Sequence, residues 1–400
     1  MIASPEANLE EDRVAMDRRR FIRLAAGVPV GLAGCLGPGC ARDGSLAPGG
    51  DAPSPTPSPG KGEGVVVPKV NGGINLQPLR RLGPRDPDPG IIPDLVALQL
   101  GAVYELGFDG LRVTAPFSDR ANFLAAIPYV RAARALGIDA VVVLSDFAGL
   151  ALARALHDDQ RRPAVLRLYQ TVFAVPPAPV RSGLGGLGPG GVGRIAFQIL
   201  NEPAHFLGVP PEAYVRELLT PCFVELKYDN PDIIVVAAAE VGNVDGPPRI
   251  RAMIEAGLEY VSDRVAYHIY SRTVIPLLSP HVKSLVWVTE SGAAGTGLHL
   301  GWVRDTFPEI FAAIPNVSRI FYYDLFDGER GVYRLLGIEP EGPKFRAVVE
   351  STALYAFLAD RVRAKAAGQP LLRFDSLIPD IRAYFPTAED AKAHDEAFEA

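Results

Sequence analysis

Two short stretches run apolar and then stop on a glutamate: Gln198-Ile199-Leu200-Asn201-Glu202-Pro203 and Val286-Trp287-Val288-Thr289-Glu290-Ser291-Gly292. Each reads as a buried strand whose last residue emerges at the rim of a sheet with a carboxylate on it. Two such groups facing each other across a substrate can supply the acid and the nucleophile of glycoside hydrolysis. Glu202 and Glu290 are therefore the candidate catalytic pair. Pro203 disfavours helical backbone at the residue before it and is expected to keep Glu202 extended as the chain leaves the strand. For either glutamate alone, a helix cap or a surface carboxylate is the competing reading.

Three further side chains could serve such a pair. Residues two apart on a strand share a face, so His268 and Tyr270 of Tyr267-His268-Ile269-Tyr270 point the same way. A tyrosine there can donate to a neighbouring carboxylate and hold it ionised, as a nucleophile requires. Arg112 is a cation among apolar residues in Gly110-Leu111-Arg112-Val113 and must be paired, with a catalytic carboxylate as a natural partner. A satisfied core histidine, a rim tyrosine and a structural ion pair are the plain alternatives.

Other chemistries find little support. The six histidines are scattered with no His-x-x-x-His pair, so neither a metal cluster nor a cofactor is expected. The glycine-rich Ser182–Gly193 precedes a strand and lacks the Lys-Ser/Thr of a phosphate cradle, and reads as a connection on the far face. Cys222 stands alone in a helical stretch and reads as a core thiol. The net charge is −6, with no basic run beyond the N-terminus, which gives no footing for nucleic acid as a partner.

The elements that must position these residues alternate strand and helix from Val65 onward, the pattern of a parallel sheet. Strands are expected within Val65–Leu76, and at Gly110–Val113, Ala140–Leu144, Arg194–Leu200, Ile233–Ala237, Arg264–His268, Leu285–Thr289 and Arg319–Tyr323. The intervening helices fall near Pro93–Leu106, Arg120–Leu136, Leu150–Val172, Pro211–Lys227, Pro248–Tyr260 and Gly301–Ile314, with a short helical connection after the sixth strand and an eighth helix at Phe345–Lys365. Eight such units close into a (β/α)8 TIM barrel of the α/β class, whose strand ends at one face build the site. Strand ends four and seven then lie on opposite sides of the mouth. The barrel is expected over 65–368, with 369–400 as a C-terminal extension that packs on it or frays.

The first 64 residues read as targeting and tether. Arg18-Arg19-Arg20-Phe21-Ile22-Arg23 resembles the twin-arginine export signal, with Asp17 where that signal usually has Ser or Thr. Leu32-Ala33-Gly34-Cys35 resembles a bacterial lipobox, in which the cysteine is lipidated. Residues 1–35 are thus an export signal, and its apolar run is too short for a permanent membrane span. Residues 36–64 include Pro53-Ser54-Pro55-Thr56-Pro57-Ser58-Pro59, an extended linker unable to bury a core. The expected location is the periplasm or cell envelope. The partners are the twin-arginine machinery, a carbohydrate substrate, and the membrane through a lipid anchor only.

From Val65 to Lys365 the chain resembles clan A of the glycoside hydrolases, the retaining (β/α)8 enzymes. Asn201-Glu202 matches the clan's strand-four asparagine and acid/base, Glu290 its strand-seven nucleophile, His268 and Tyr270 its strand-six His-x-Tyr, and Arg112 its strand-two arginine. Strand three departs by ending Ser145-Asp146 where several families keep a histidine. Strand eight departs with Tyr322-Tyr323-Asp324-Leu325-Phe326 in place of a tryptophan, leaving Tyr323 or Phe326 to stack on sugar. The resemblance implies hydrolysis of a β-linked glycoside by double displacement, with a raised pKa keeping Glu202 protonated and Asn201 bonding the sugar 2-hydroxyl. A non-catalytic glycan-binding envelope lipoprotein on the same barrel is the alternative.

Overall fold

The computed structural model describes residues 70–76, 93–146, 150–177, 192–278, 282–293, 298–325, 336–341, 344–349, 358 and 380–400. The expected export signal, lipidated Cys35, linker, Phe326 and nearly all of the glycine-rich loop lie outside them.

Eight parallel strands follow one another in chain order: β1 (Val70–Leu76), β2 (Phe108–Pro116), β3 (Asp139–Ser145), β4 (Ile195–Ile199), β5 (Ile234–Val236), β6 (Val265–Ile269), β7 (Val286–Ser291) and β8 (Val317–Tyr322). β1 pairs with both β2 and β8, through Gly73–Phe321 and Ile74–Tyr322 on the β8 side. The ring closes between β5 and β6 by a parallel bridge of Val236 with Arg264, joined by an Ala237 N–H to Arg264 carbonyl bond of 3.0 Å. This is the expected (β/α)8 barrel.

Left-handed glycines reset the chain between a helix and the following strand. Gly107 (φ 73°) follows the helix Pro93–Glu105, and Gly137 (φ 77°) follows Arg120–Ala135. A side chain would resist that conformation, so each glycine ends its helix and points the chain into the next strand.

Two apolar layers result. The larger packs the outer strand faces against the helices, and a smaller cluster of Val141, Ala196, Ile234, Val236, Ala239, Ala266, Trp287 and Phe321 fills the barrel. At its base the Arg319 guanidinium lies over the Trp287 ring at 5.3 Å and binds Asp109 and Asp139. Phe321 needs the space that Gly73 leaves, since a Cβ there would fall 2.2 Å from its ring. The barrel floor is therefore a packed plug, and polar groups concentrate above it.

Two expectations about elements fail. The stretch 150–172 is two helices, Ala151–His157 and Arg162–Tyr169, the second continuing as a wider turn to Ala174. Asp158 accepts the Gln160 N–H at 2.8 Å, and Pro163 sits in the first turn of the second helix, where its missing N–H costs nothing. Phe345–Val349 is not helical. It belongs to the strand Lys344–Val349, paired antiparallel with Leu336–Glu341. The sequence between them, Gly342-Pro343, favours a turn, a signal the helical composition of the following residues obscured. Of residues 350–365 only Leu358 is described, in helical backbone and buried.

The C-terminal residues pack rather than fray. Thr387 and Asp390 form a reciprocal capping box for the helix Ala388–Glu399. Arg131 grips the Asp390 carboxylate with both terminal nitrogens, at 3.0 and 2.7 Å, and His394 Nε2 lies 3.0 Å from the Phe117 carbonyl just past β2.

Candidate active site

Alternation along the strands sends Asn75 of β1, Arg112 of β2, Gln198 of β4 and His268 of β6 into the barrel above the apolar plug. Arg112 is the hub and is almost wholly buried. Its Nε donates to Gln198 Oε1 at 2.9 Å, Nη1 to Asn75 Oδ1 and Glu290 Oε1 at 2.7 Å each, and Nη2 to Asn201 Oδ1 at 2.8 Å. A buried guanidinium is tolerable only when its donors are met in this way. Arg112 thereby ties β1, β4 and β7 to one point.

Glu290 reaches that point through an irregularity. Ala266 and Tyr267 of β6 pair with Trp287 and Val288, but His268 pairs with Glu290, leaving Thr289 as an extra residue in β7. Strict alternation from inward-facing Trp287 would turn Glu290 toward the helices, and the bulge turns it inward instead. Asn75 secures the bulge by donating from Nδ2 to the Thr289 carbonyl at 2.9 Å. Arg112 holds Oε1 of Glu290, and the Tyr270 hydroxyl donates to Oε2 at 2.7 Å. Burial works to raise the Glu290 pKa. His268, Arg112 and the Tyr270 hydroxyl outweigh it and hold the carboxyl below its ordinary value. Burial, reinforced by the Glu290 charge, pushes the Tyr270 phenol well up, so it remains a donor.

Glu202 arrives by a different distortion. Leu200 (φ 67°) and Glu202 (φ 44°) both adopt left-handed backbone, correcting the expectation of an extended glutamate. Pro203 excludes the right-handed helical region for the residue before it, but it starts the short helix Pro203–Phe206, and the chain reaches that helix through a left-handed corner. The corner is pinned on both sides: Leu200 N–H donates to Leu144 of β3 at 2.9 Å and Glu202 N–H to Ala239 beyond β5 at 3.0 Å. The carboxylate ends up buried, with Oε1 2.5 Å from His268 Nδ1. At that distance the two side chains are hydrogen-bonded to each other. His268 Nε2 lies 3.5 Å from Glu290 Oε1, and the imidazole stands between the two acids.

The structure thus brings together Glu202, Glu290, Asn201, Arg112, His268 and Tyr270. Tyr323 stands at the edge, its ring 6.0 Å from that of Tyr270 in an edge-on arrangement. Asn201 Oδ1 is engaged by Arg112 and by Gln198 Nε2 at 3.1 Å, so what it presents to a ligand is its amide N–H. Asp146, at the strand-three departure, caps the helix Ala151–His157 by accepting the Leu152 N–H at 3.1 Å. Sequence reasoning missed Asn75, Gln198 and the buried Glu240, although each is a polar residue in or just after an apolar strand.

An oxygen of Glu202, a ring nitrogen of His268 and an oxygen of Glu290 lie within 4.8 Å of one another, a donor set that could hold a metal ion. The surroundings oppose it. The Arg112 cation already occupies Oε1 of Glu290 at 2.7 Å, and a divalent ion there would face that charge directly. The arrangement serves better as two carboxylates in unequal environments.

No family matches the sequence, and no curated protein does. Among solved structures the chain is similar to an endo-beta-1,4-mannanase from Thermotoga petrophila, at 13% identity and a TM-score of 0.48, over 76% of this chain and 78% of the other. It is also similar to AbfB, a family 51 alpha-L-arabinofuranosidase from Bifidobacterium longum, at 13% identity and a TM-score of 0.47, over 75% and 74%. A third is a GH5-4 broad specificity endoglucanase from Clostridium acetobutylicum, at 11% identity and a TM-score of 0.44, over 66% and 91%.

Proposed function

We propose that the protein is a retaining glycoside hydrolase acting on a β-linked glycoside or polysaccharide. The observation that carries this reading is a buried carboxylate held ionised by Arg112 and Tyr270, with an oxygen of a second buried carboxylate within 4.8 Å. Double displacement needs carboxyl groups about 5–5.5 Å apart, whereas inversion needs about 6.5–9.5 Å to admit a water. The close approach supports retention.

In this mechanism a Glu290 oxygen attacks the anomeric carbon as the glycosidic C–O bond breaks, and Glu202 passes its proton to the leaving oxygen. Water then attacks the glycosyl ester, Glu202 takes its proton, and Glu290 leaves as a free carboxylate. Arg112 and Tyr270 keep Glu290 ionised before attack and stabilise its charge as it departs. The Asn201 amide donates to the sugar 2-hydroxyl, and Tyr323 offers a ring at the edge of the site. Export through the twin-arginine route and anchorage by lipid on Cys35 belong to the same proposal, and rest on Arg18–Arg23 and Leu32–Cys35.

A panel of chromogenic β-glycosides and polysaccharides tests the reading, with the anomer of the first product followed by NMR. Turnover with retained configuration is expected, and Glu290→Gln should abolish it while leaving the far-ultraviolet dichroism unchanged. Near-normal hydrolysis by that variant would remove Glu290 as nucleophile. Glycan binding without turnover by the wild type would leave the non-catalytic alternative.

A further inference from the structure

The segment Ala239–Gly242, just beyond β5, touches both halves of the site without contributing to either reacting carboxylate. On one side the Ala239 carbonyl accepts the Glu202 N–H at 3.0 Å, and Glu240 Oε1 accepts the Ala204 N–H at 3.1 Å. Those two bonds hold the left-handed corner that carries Glu202, from before and after Pro203. On the other side the Gly242 carbonyl accepts the Tyr270 N–H at 3.3 Å. A Cβ on Gly242 would lie 2.8 Å from the Tyr270 ring and 3.0 Å from the His268 carbonyl, so the close packing requires glycine.

Glu240 is the polar anchor of this segment. Its side chain is fully buried, and its second oxygen faces Arg249 of the helix Gly246–Glu255 at 3.4 Å. Burial pushes its carboxyl up from the ordinary value against the pull of the Ala204 N–H and Arg249, and the Glu202 charge adds to the push. A buried carboxyl is costly, and a cap on one short helix is a small return for it. Behind the segment lies only a gap of about 10 Å³, lined by Glu240, Val241, Ile250, Tyr267, His268 and Leu278 among others.

We infer that Glu240 is a positioning residue for the acid/base, and that the segment it anchors sets the spacing between Glu202 and the Tyr270–Glu290 pair. The inference rests on the glycosidase reading for its kinetic consequence but not for its geometric one. Glu240 acts on the group that protonates the leaving oxygen, and Gly242 on the tyrosine that serves the nucleophile. Their substitution should therefore leave different signatures. Displacing an acid by about 1 Å costs on the order of 100-fold where its proton is needed. An aryl leaving group that departs unaided does not need that proton.

The test compares Glu240→Ala, Glu240→Gln and Gly242→Ala in the full chain, using aryl β-glycosides that span good and poor leaving groups. Glu240→Ala should lose 10- to 100-fold in kcat/KM on poor leaving groups and less than threefold on dinitrophenyl glycosides. Glu240→Gln retains an acceptor for the Ala204 N–H and should recover most of that loss. Gly242→Ala should lose activity equally across the series. The imidazole nitrogen resonances of His268, which report its contact with Glu202, are followed in the same proteins without substrate. They should shift in Glu240→Ala and return in Glu240→Gln. Uniform losses in all three variants, or unmoved His268 resonances, would overturn the positioning role. Should Glu240→Ala fail to fold, Glu240→Met, which keeps the volume and removes the acceptor for the Ala204 N–H, is read by the same leaving-group slope and resonances. If the wild type hydrolyses no glycoside and the His268 resonances behave as stated, the function proposed above fails and the positioning role stands.

Discussion

Tyr270→Phe removes one hydroxyl and leaves the ring, so it isolates a single bond to the proposed nucleophile. That bond is 2.7 Å long, ends on the charged form of Glu290, and is partly buried. Hydrogen bonds to charged groups contribute about 1.5–3 kcal/mol. Losing one that favours the carboxylate should raise the Glu290 pKa. The direction is fixed: Glu290 sits below its ordinary value of 4.5 and would move back toward it or past it. The acid limb of kcat/KM reports protonation of the proposed nucleophile in the free enzyme, so it should shift upward. At the optimum, kcat/KM should fall about 10- to 100-fold, because the charge leaving Glu290 in the second step also loses its donor. Stability supplies a check that needs no substrate. A depressed folded pKa stabilises the protein above the unfolded value, and that stabilisation disappears as pH falls through the folded one. Denaturation midpoints of the variant should therefore be lower near neutrality and converge with wild type in strong acid. An unmoved acid limb with activity within twofold of wild type would refute the role given to this hydroxyl.

Other expectations follow from the same geometry. Glu202→Ala should abolish turnover of poor leaving groups yet retain dinitrophenyl glycosides, with azide restoring rate as the β-glycosyl azide; failure of azide to do so would exclude Glu202 as acid/base. Gly73→Ala forces a Cβ into the Phe321 ring at the barrel floor and should cost about 1–3 kcal/mol by denaturant titration. Thr387→Ala removes the cap of the last helix and should cost about 1 kcal/mol, read as a lower Tm with kcat unchanged.

The barrel was legible because its strands are mostly apolar runs and its helices are spaced between them. The site was legible where a run stops on a charge, as at Glu202 and Glu290. The same signature stood at Ile233–Glu240, seven apolar residues ending in a glutamate, and went unread because no second feature drew attention to it. Asn75 and Gln198 lie inside strands, where a lone polar residue resembles tolerated noise until Arg112 is seen to require acceptors. The Thr289 bulge and the left-handed corner at Glu202 left no trace in residue type. Both depend on bonds from distant strands, and those partners are set by barrel closure. The missed hairpin at Leu336–Val349 had a local signal in Gly342-Pro343, overridden in the reading by the helix-forming residues that follow.

The division of labour between the two acids follows from who reaches them. Arg112 and the Tyr270 hydroxyl address Glu290 and leave Glu202 untouched, one at each oxygen of the nucleophile. Glu202 has His268 as its side-chain partner at 2.5 Å, with the carboxyl groups of Glu290 and Glu240 as electrostatic neighbours. Two carboxylates at this range cannot both ionise freely, and the one with the fixed cation keeps its charge. In the proposed mechanism the leaving oxygen then takes its proton from the other acid, Glu202. Exchanging the roles would require moving Arg112 away from Glu290, and that guanidinium is bound by Asn75, Gln198 and Asn201 from two other strand ends. Under the proposed mechanism, the barrel itself therefore decides which glutamate attacks.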